Sequence, residues 1–184
     1  ILLRDDVCFL HIPKTGGNWV SEIIFSSLEN AKTLEIQKHA NFDHLAGVEK
    51  INNAAKRMTN GKRINYFCVV RNPLAWYESW YKYQHMRGWR NWGSEGSLDK
   101  KLWHVLSPLN MPKKTDFNSF IREINESVPG FLTYLYGSYC YPTKAYVLKT
   151  ETLRGDLAKL NRLWGLGLNE NLIKNYKKIK LEKL

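Results

Sequence analysis

Val7-Cys8-Phe9-Leu10-His11-Ile12-Pro13-Lys14-Thr15-Gly16-Gly17 is the stretch on which the fold turns. Its first six residues form a short, almost wholly apolar run, which predicts a buried strand. The run ends in a turn built on Pro13, Gly16 and Gly17. Beyond that turn Val20, Ile23, Ile24 and Leu28 recur at helical spacing, so a helix follows at once. A buried strand, a sharp turn and a helix together open an α/β unit.

The same pattern returns twice. Residues Ile64 to Val70 are rich in β-branched and aromatic side chains and read as a second strand. It stops at Arg71-Asn72-Pro73, where Asn72 suits a helix N-cap and Pro73 the first helical position. The helix beyond is expected to carry Tyr77, Trp80, Tyr81 and Gln84 along one face. Ala145 to Lys149 reads as a third strand, followed by a stripe of Leu153, Leu157, Leu160 and Trp164 that Gly165 closes. A further helix is expected over 115–127 through Phe117, Phe120, Ile121 and Ile124. Residues 86–114 read as irregular and aromatic; their Trp89, Trp92 and Trp103 suit either stacking on sugar rings or core packing. The lysine-rich segment from Lys174 to Lys183 reads as a frayed helix or a truncated segment.

Strands alternating with helices imply parallel pairing. The expected architecture is α/β: three layers, with a central, mainly parallel sheet flanked by helices. With 184 residues and no repeat, low-complexity tract or linker, the chain is expected to be one domain, 1–184.

Hydrophobic residues make up 43% of the chain, a value of globular rather than disordered proteins. Lys and Arg number 28 against 17 Asp and Glu, a net charge of +11. That excess favours an anionic partner, which could be a nucleotide, an acidic glycan, nucleic acid or a lipid surface. The positive charges are scattered rather than gathered in a stripe, which argues against nucleic acid as the partner. Cys8, Cys68 and Cys140 make neither a disulfide framework nor a metal site. No apolar run approaches membrane-spanning length, and no signal peptide is visible. The expectation is a soluble, cytoplasmic chain without a membrane span, although a start at Ile1 leaves room for a removed leader or anchor.

In an open α/β sheet, ligands bind beyond the carboxyl ends of the strands, where the turns Pro13–Trp19 and Arg71–Pro73 both lie. Gly16 and Gly17 allow backbone N–H groups to approach a ligand closely, and the helix beyond points its positive end there. Lys14 adds a full charge. The arrangement suits phosphate, but Gly-x4-Gly-Lys-[Ser/Thr] is absent, so it is no Walker A loop. Arg71 ends a buried strand and needs an anion, either a ligand or a structural carboxylate. Ser79 follows eight positions later on the helix leaving that turn.

Phe9-Leu10-His11-Ile12-Pro13-Lys14-Thr15-Gly16-Gly17 resembles the 5′-phosphosulfate loop of sulfotransferases that use 3′-phosphoadenosine 5′-phosphosulfate (PAPS), above all the heparan and chondroitin O-sulfotransferase branch. Val69-Val70-Arg71-Asn72-Pro73, with Ser79, is similar to that family's 3′-phosphate motif. Lys38-His39-Ala40-Asn41-Phe42 stands where these enzymes carry a catalytic histidine, and Val147 to Leu153 resembles their later strand near the adenine. Asn18-Trp19 departs from the family, which has a small hydroxyl residue and its neighbour there.

The resemblance implies a P-loop-like fold, PAPS as donor, no metal, and transfer of a sulfuryl group to a hydroxyl acceptor, a glycan above all. It implies nucleotide binding by Pro13, Lys14, Thr15, Gly16, Gly17, Asn18, Trp19, Arg71, Ser79 and Thr150. Lys14 would stabilise the leaving phosphate, and His39 would be the general base, with His44 its nearest rival. His11 reads as structural, while His85 and His104 lie in or near the aromatic segment. The competing readings are a nucleotide kinase or other phosphotransferase, disfavoured because this sequence has no Walker A loop and no Asp after the second strand to hold magnesium, and a basic nucleic-acid-binding module.

Overall fold

The computed structural model of the chain describes residues 1–4, 6–32, 57, 63–89, 109, 116–141 and 143–175. Among them, β1 (Leu2–Arg4), β2 (Val7–Leu10), β3 (Asn65–Val70) and β4 (Tyr146–Lys149) form one open sheet in that spatial order. β2 and β3 pair in parallel, from Val7 opposite Asn65 to Leu10 opposite Cys68. β3 and β4 also pair in parallel, from Phe67 opposite Tyr146 to Val70 opposite Lys149. Only β1, which the sequence pattern does not announce, runs antiparallel to its neighbour.

Six helices accompany the sheet among the described residues: α1 (Gly17–Ser27), α2 (Pro73–Arg87), α3 (Phe117–Ser127), α4 (Phe131–Cys140), α5 (Leu153–Trp164) and α6 (Glu170–Asn175). Side chains alternate across a strand, and here each parity meets a different set of helices. Cys8, Leu10 and Cys68 pack with Trp76 and Trp80 of α2, Phe120 and Ile124 of α3, and Leu132, Leu135 and Tyr139 of α4. Val7, Phe9, Phe67 and Val69 pack with Val20, Ile23 and Ile24 of α1 and with Leu157 and Leu160 of α5. The sheet is therefore the middle of three layers. Cover on both faces is why β2 and β3 read as unbroken apolar runs.

Local chemistry sets the helix ends. The Asn72 side chain accepts the Ala75 N–H at 3.3 Å with Pro73 behind it, and Asp116 accepts the Ser119 N–H at 2.9 Å. Gly165 closes α5 in the left-handed region at φ 56°. There Arg4 donates to the carbonyls of Gly165 at 2.7 Å and Trp164 at 3.2 Å, which the helix itself leaves unbonded.

Two elements differ from the sequence reading. α4 was not expected, because Tyr134, Tyr136, Tyr139 and Gly137 are weak helix formers; its stripe of buried Phe131, Leu132, Leu135 and Tyr139 wins instead. α2 buries Trp80 and Gln84 of the expected face together with Trp76, and leaves Tyr77 and Tyr81 half-buried. α2 also extends to Arg87, into the stretch read as irregular. Trp89 beyond it packs against Tyr81 and Phe120 as core. Trp92, Trp103 and the segment beyond Asn175 lie outside the described residues.

Candidate anion site at the carboxyl edge of the sheet

Parallel pairing brings the carboxyl ends of β2, β3 and β4 to one edge, and hydrogen bonds tie the three turns that leave them. The Thr150 hydroxyl, just past β4, lies 2.7 Å from the Thr15 carbonyl and 2.9 Å from the Val70 carbonyl, so its single proton is shared between two other turns. Trp76 Nε1 donates to the Pro13 carbonyl at 2.8 Å from the first turn of α2. The Arg71 guanidinium makes a longer contact, 3.4 Å, with the Lys14 carbonyl. The Asn72 N–H donates to Glu151 Oε1 at 2.8 Å, which closes the ring of contacts.

The first turn is held in an uncommon backbone shape. Lys14 has φ 66° and Gly16 φ 90°, both in the left-handed region. Gly16 is needed for its φ and because a Cβ there would press on Leu153 at 3.3 Å. Gly17 is needed for another reason: a Cβ would run into the imidazole of His11, which is buried beneath the turn and stacked 5.9 Å from Phe9. Thr15 is fully buried and spends its hydroxyl on the Ile12 carbonyl at 2.9 Å, so it shapes the turn.

Helix N-termini at this edge are not equivalent. α5 has Asp156 in its first turn, which accepts the Lys149 N–H at 3.0 Å and the Thr152 hydroxyl at 2.8 Å. α1 has neither an acidic residue in its first turn nor a side-chain cap, and α2 has no acidic residue there. The partial positive charge at α1 is thus left uncompensated by the helix's own side chains, beside Lys14 and Arg71.

Arg71 is half-buried, and its backbone is gripped by Tyr136 of α4, whose hydroxyl accepts the Arg71 N–H at 3.2 Å and donates to the Arg71 carbonyl at 2.8 Å. Burial pushes the Tyr136 hydroxyl up from its ordinary value, so it stays a neutral donor. Among the described residues no carboxylate lies within ion-pairing distance of Arg71. Glu151 feels the Arg71 charge at longer range: the Asn72 N–H first, and then Arg71 and Lys149, hold its carboxyl below the usual value. The Lys14 ammonium lies over the Tyr83 ring of α2, 4.2 Å from its centroid, and Arg87 approaches the same ring at 5.6 Å.

The structure brings together Pro13, Lys14, Thr15, Gly16, Gly17, Arg71 and Thr150. Asn18 is exposed in the first turn of α1. Trp19 belongs to the helix packing instead: its N–H donates to the Gly16 carbonyl at 3.0 Å, and its ring lies under Arg154 at 5.3 Å. Ser79 is half-buried on α2, two turns beyond the Asn72 cap, and no hydrogen bond among the described residues joins its hydroxyl to Arg71. His39, His44 and His104 lie outside the described residues, while His85 is exposed and edge-on to Tyr81 at 4.5 Å.

Sequence reasoning missed Tyr136, Glu151, Trp76 and Tyr83 as supports of this edge. Trp76 and Tyr83 carried a local signal, since they share the α2 stripe with Trp80 at helical spacing. Tyr136 carried none, for it meets Arg71 across 65 residues of chain. Among the described residues no cluster of His, Cys, Asp or Glu could hold a metal ion, and no helix is long and apolar enough to cross a membrane. No family model, curated protein or solved structure matches the chain.

Proposed function

We propose that this edge binds the phosphates of PAPS and that the protein transfers its sulfuryl group to a hydroxyl acceptor, with a glycan as the favoured class. The observation that carries the reading is the meeting of two separate turns, each bearing one cation: Arg71 reaches the Lys14 carbonyl, and Thr150 fastens both turns to β4. A P-loop-like fold belongs to the same proposal; the uncapped start of α1 behind a left-handed, glycine-containing turn supports it.

The chemistry asks the protein for position and charge rather than for covalent steps. The acceptor oxygen attacks sulfur, and the bond from sulfur to the oxygen of the 5′-phosphate breaks in line. Lys14 and the N–H groups at the start of α1 stabilise the charge left on that phosphate. Arg71 and Ser79 hold the 3′-phosphate, which distinguishes this donor from ATP. His39 takes the acceptor's proton, as a side chain with an unperturbed pKa near ~6.5 can at neutral pH.

Thermal-shift titration tests the assignment, since a ligand that binds only the folded chain raises its melting point. Adenosine 3′,5′-bisphosphate should stabilise the protein far more than adenosine 5′-monophosphate. A larger shift with ATP and magnesium would favour a phosphotransferase, and one with oligonucleotides a nucleic-acid-binding module. For the base, His39→Ala should keep bisphosphate affinity and lose roughly two to four orders of magnitude in turnover. The same pattern in His44→Ala would move the role there.

A further inference from the structure

Cys68 and Cys140 come from different layers and meet. Cys68 is the fourth residue of β3, buried on the face that α4 covers, and Cys140 is the last residue of α4, half-buried. Their Sγ atoms lie 3.5 Å apart in a thiol hydrogen bond, and both cysteines are free. A disulfide needs about 2.0 Å, so closure asks for about 1.5 Å of approach, a small movement for a residue at a helix end.

The two sulfurs are unequal. The hydrogen bond to Cys140, together with burial, pushes the Cys68 thiol up, and the same bond holds Cys140 below its ordinary value. Cys140 is also the more accessible of the two sulfurs, so an oxidant reaches it first. Cys8 is set apart: it lies opposite Tyr66 on β2, buried, and burial pushes its thiol up.

We propose that Cys68 and Cys140 form a reversible oxidation site, in which Cys140 reacts first with a hydroperoxide and Cys68 resolves the product to an intramolecular disulfide. In the first step the Cys140 sulfur attacks peroxide oxygen; the O–O bond breaks, water or an alcohol leaves with the thiol proton, and Cys140 becomes a sulfenic acid. In the second, Cys68 attacks that sulfur; the S–S bond forms, the S–O bond breaks, and the hydroxyl leaves as water with the Cys68 proton. The thiols lose two electrons in all and the peroxide gains them.

The position of the pair gives the bond a mechanical effect. Tyr136 and Cys140 stand four residues apart on α4 and so share a helix face. Tyr136 holds the backbone of Arg71, three residues beyond Cys68. The disulfide staples the seam from which the Arg71 turn hangs, and slows its opening.

The test uses the reduced full chain, titrated with hydrogen peroxide and mapped by mass spectrometry. Two of the three thiols should disappear together, with a loss of two hydrogens and one cross-linked peptide pair joining Cys68 to Cys140. Dithiothreitol should restore them, and Cys8→Ser should behave like the parent while Cys140→Ser forms no cross-link. Amide exchange at Arg71 should slow in the oxidised protein. A sulfinic acid on Cys140 with Cys68 untouched, or a cross-link between two chains, overturns the pairing; unchanged exchange at Arg71 overturns the staple. Mapping of the unmutated chain decides the pairing even where a variant fails to fold.

Discussion

The hydroxyl of Tyr136 bonds both backbone groups of Arg71, accepting from its N–H at 3.2 Å and donating to its carbonyl at 2.8 Å. A residue just past the end of a strand has lost its ladder partners, and here one side chain replaces both. Arg71 is thus placed by its main chain, which leaves its guanidinium able to face the edge of the sheet.

Two substitutions separate that placement from the charge itself. Tyr136→Phe removes the two bonds and should lower stability by about 1–3 kcal/mol, the range for a half-buried polar group that loses its partner. It should also weaken, without abolishing, the preference for adenosine 3′,5′-bisphosphate over adenosine 5′-monophosphate. Arg71→Ala should keep more of the stability and lose most of that preference, because a charge-assisted contact disappears. Calorimetric titration with both nucleotides, alongside denaturant unfolding, provides the two readings. Equal affinities in the parent protein would remove the basis for placing a 3′-phosphate at Arg71.

Much of this arrangement was legible in the sequence, for reasons that can be named. β2 and β3 were found because strands covered on both faces must be apolar throughout, and β4 because a short apolar run precedes a helical stripe. The Pro13 and Arg71 turns were found because helix-starting chemistry follows each at once. Arg71 itself stood out as a charge at the end of an apolar run. What stayed hidden depends on distance along the chain. Nothing near Thr150 shows that its hydroxyl serves Thr15 and Val70, and nothing near Tyr136 shows that α4 reaches Arg71. α4 was hidden for the local reason that aromatic residues and Gly137 mask its stripe.

Lys14 should act on rate more than on affinity. The charge it meets grows as the bond to sulfur breaks, so its contact is strongest in the transition state. Lys14→Ala should reduce turnover by about a hundredfold or more with only a small change in bisphosphate affinity. Tyr83→Leu takes away the ring beneath the ammonium but keeps the charge, and its turnover should stay within about tenfold of the parent. Near-normal turnover in Lys14→Ala would reject the role given to the Pro13 turn.

Gly17 and His11 fit each other by contact, since a Cβ on Gly17 would meet the imidazole. Gly17→Ala should cost about 1–3 kcal/mol, the penalty for overfilling a packed interior. Pairing it with His11→Ala should return part of that loss, because the space under the turn is then free. Melting points of the two single variants and the double variant form a complete cycle. Strict additivity would mean that the glycine serves something other than room for the ring.

Glu151 should make the Arg71 turn sensitive to acid. Its carboxyl is held below the ordinary 4.5, first by the Asn72 N–H, so folding favours the ionised form. The stabilisation is complete above the unfolded value and is lost as pH falls through the lower folded value. Because Glu151 is exposed, the effect should be modest. Between about pH 5 and pH 3, Glu151→Gln should lose less stability than the parent protein. Melting points measured across that range decide it, and parallel curves would show that the bond to Asn72 confers no linkage.

Thr150 joins the Pro13 turn to β4 across 135 residues of chain. At a synthesis rate of about 5–20 residues per second, the turn exists for roughly 7–27 s before Thr150 is added. Throughout that interval the carbonyls of Thr15 and Val70 lack the proton that will join them. A nascent chain therefore contains every residue of the turn long before it can hold the turn in shape. Premature termination between the end of α2 and Thr150 would leave β2 and β3 able to pair, with Trp76 and Arg71 reaching the Pro13 turn but without the hydroxyl that joins Thr15 to Val70. Geometry at this turn is one of the last properties the polypeptide acquires, although its residues are among the first to be made.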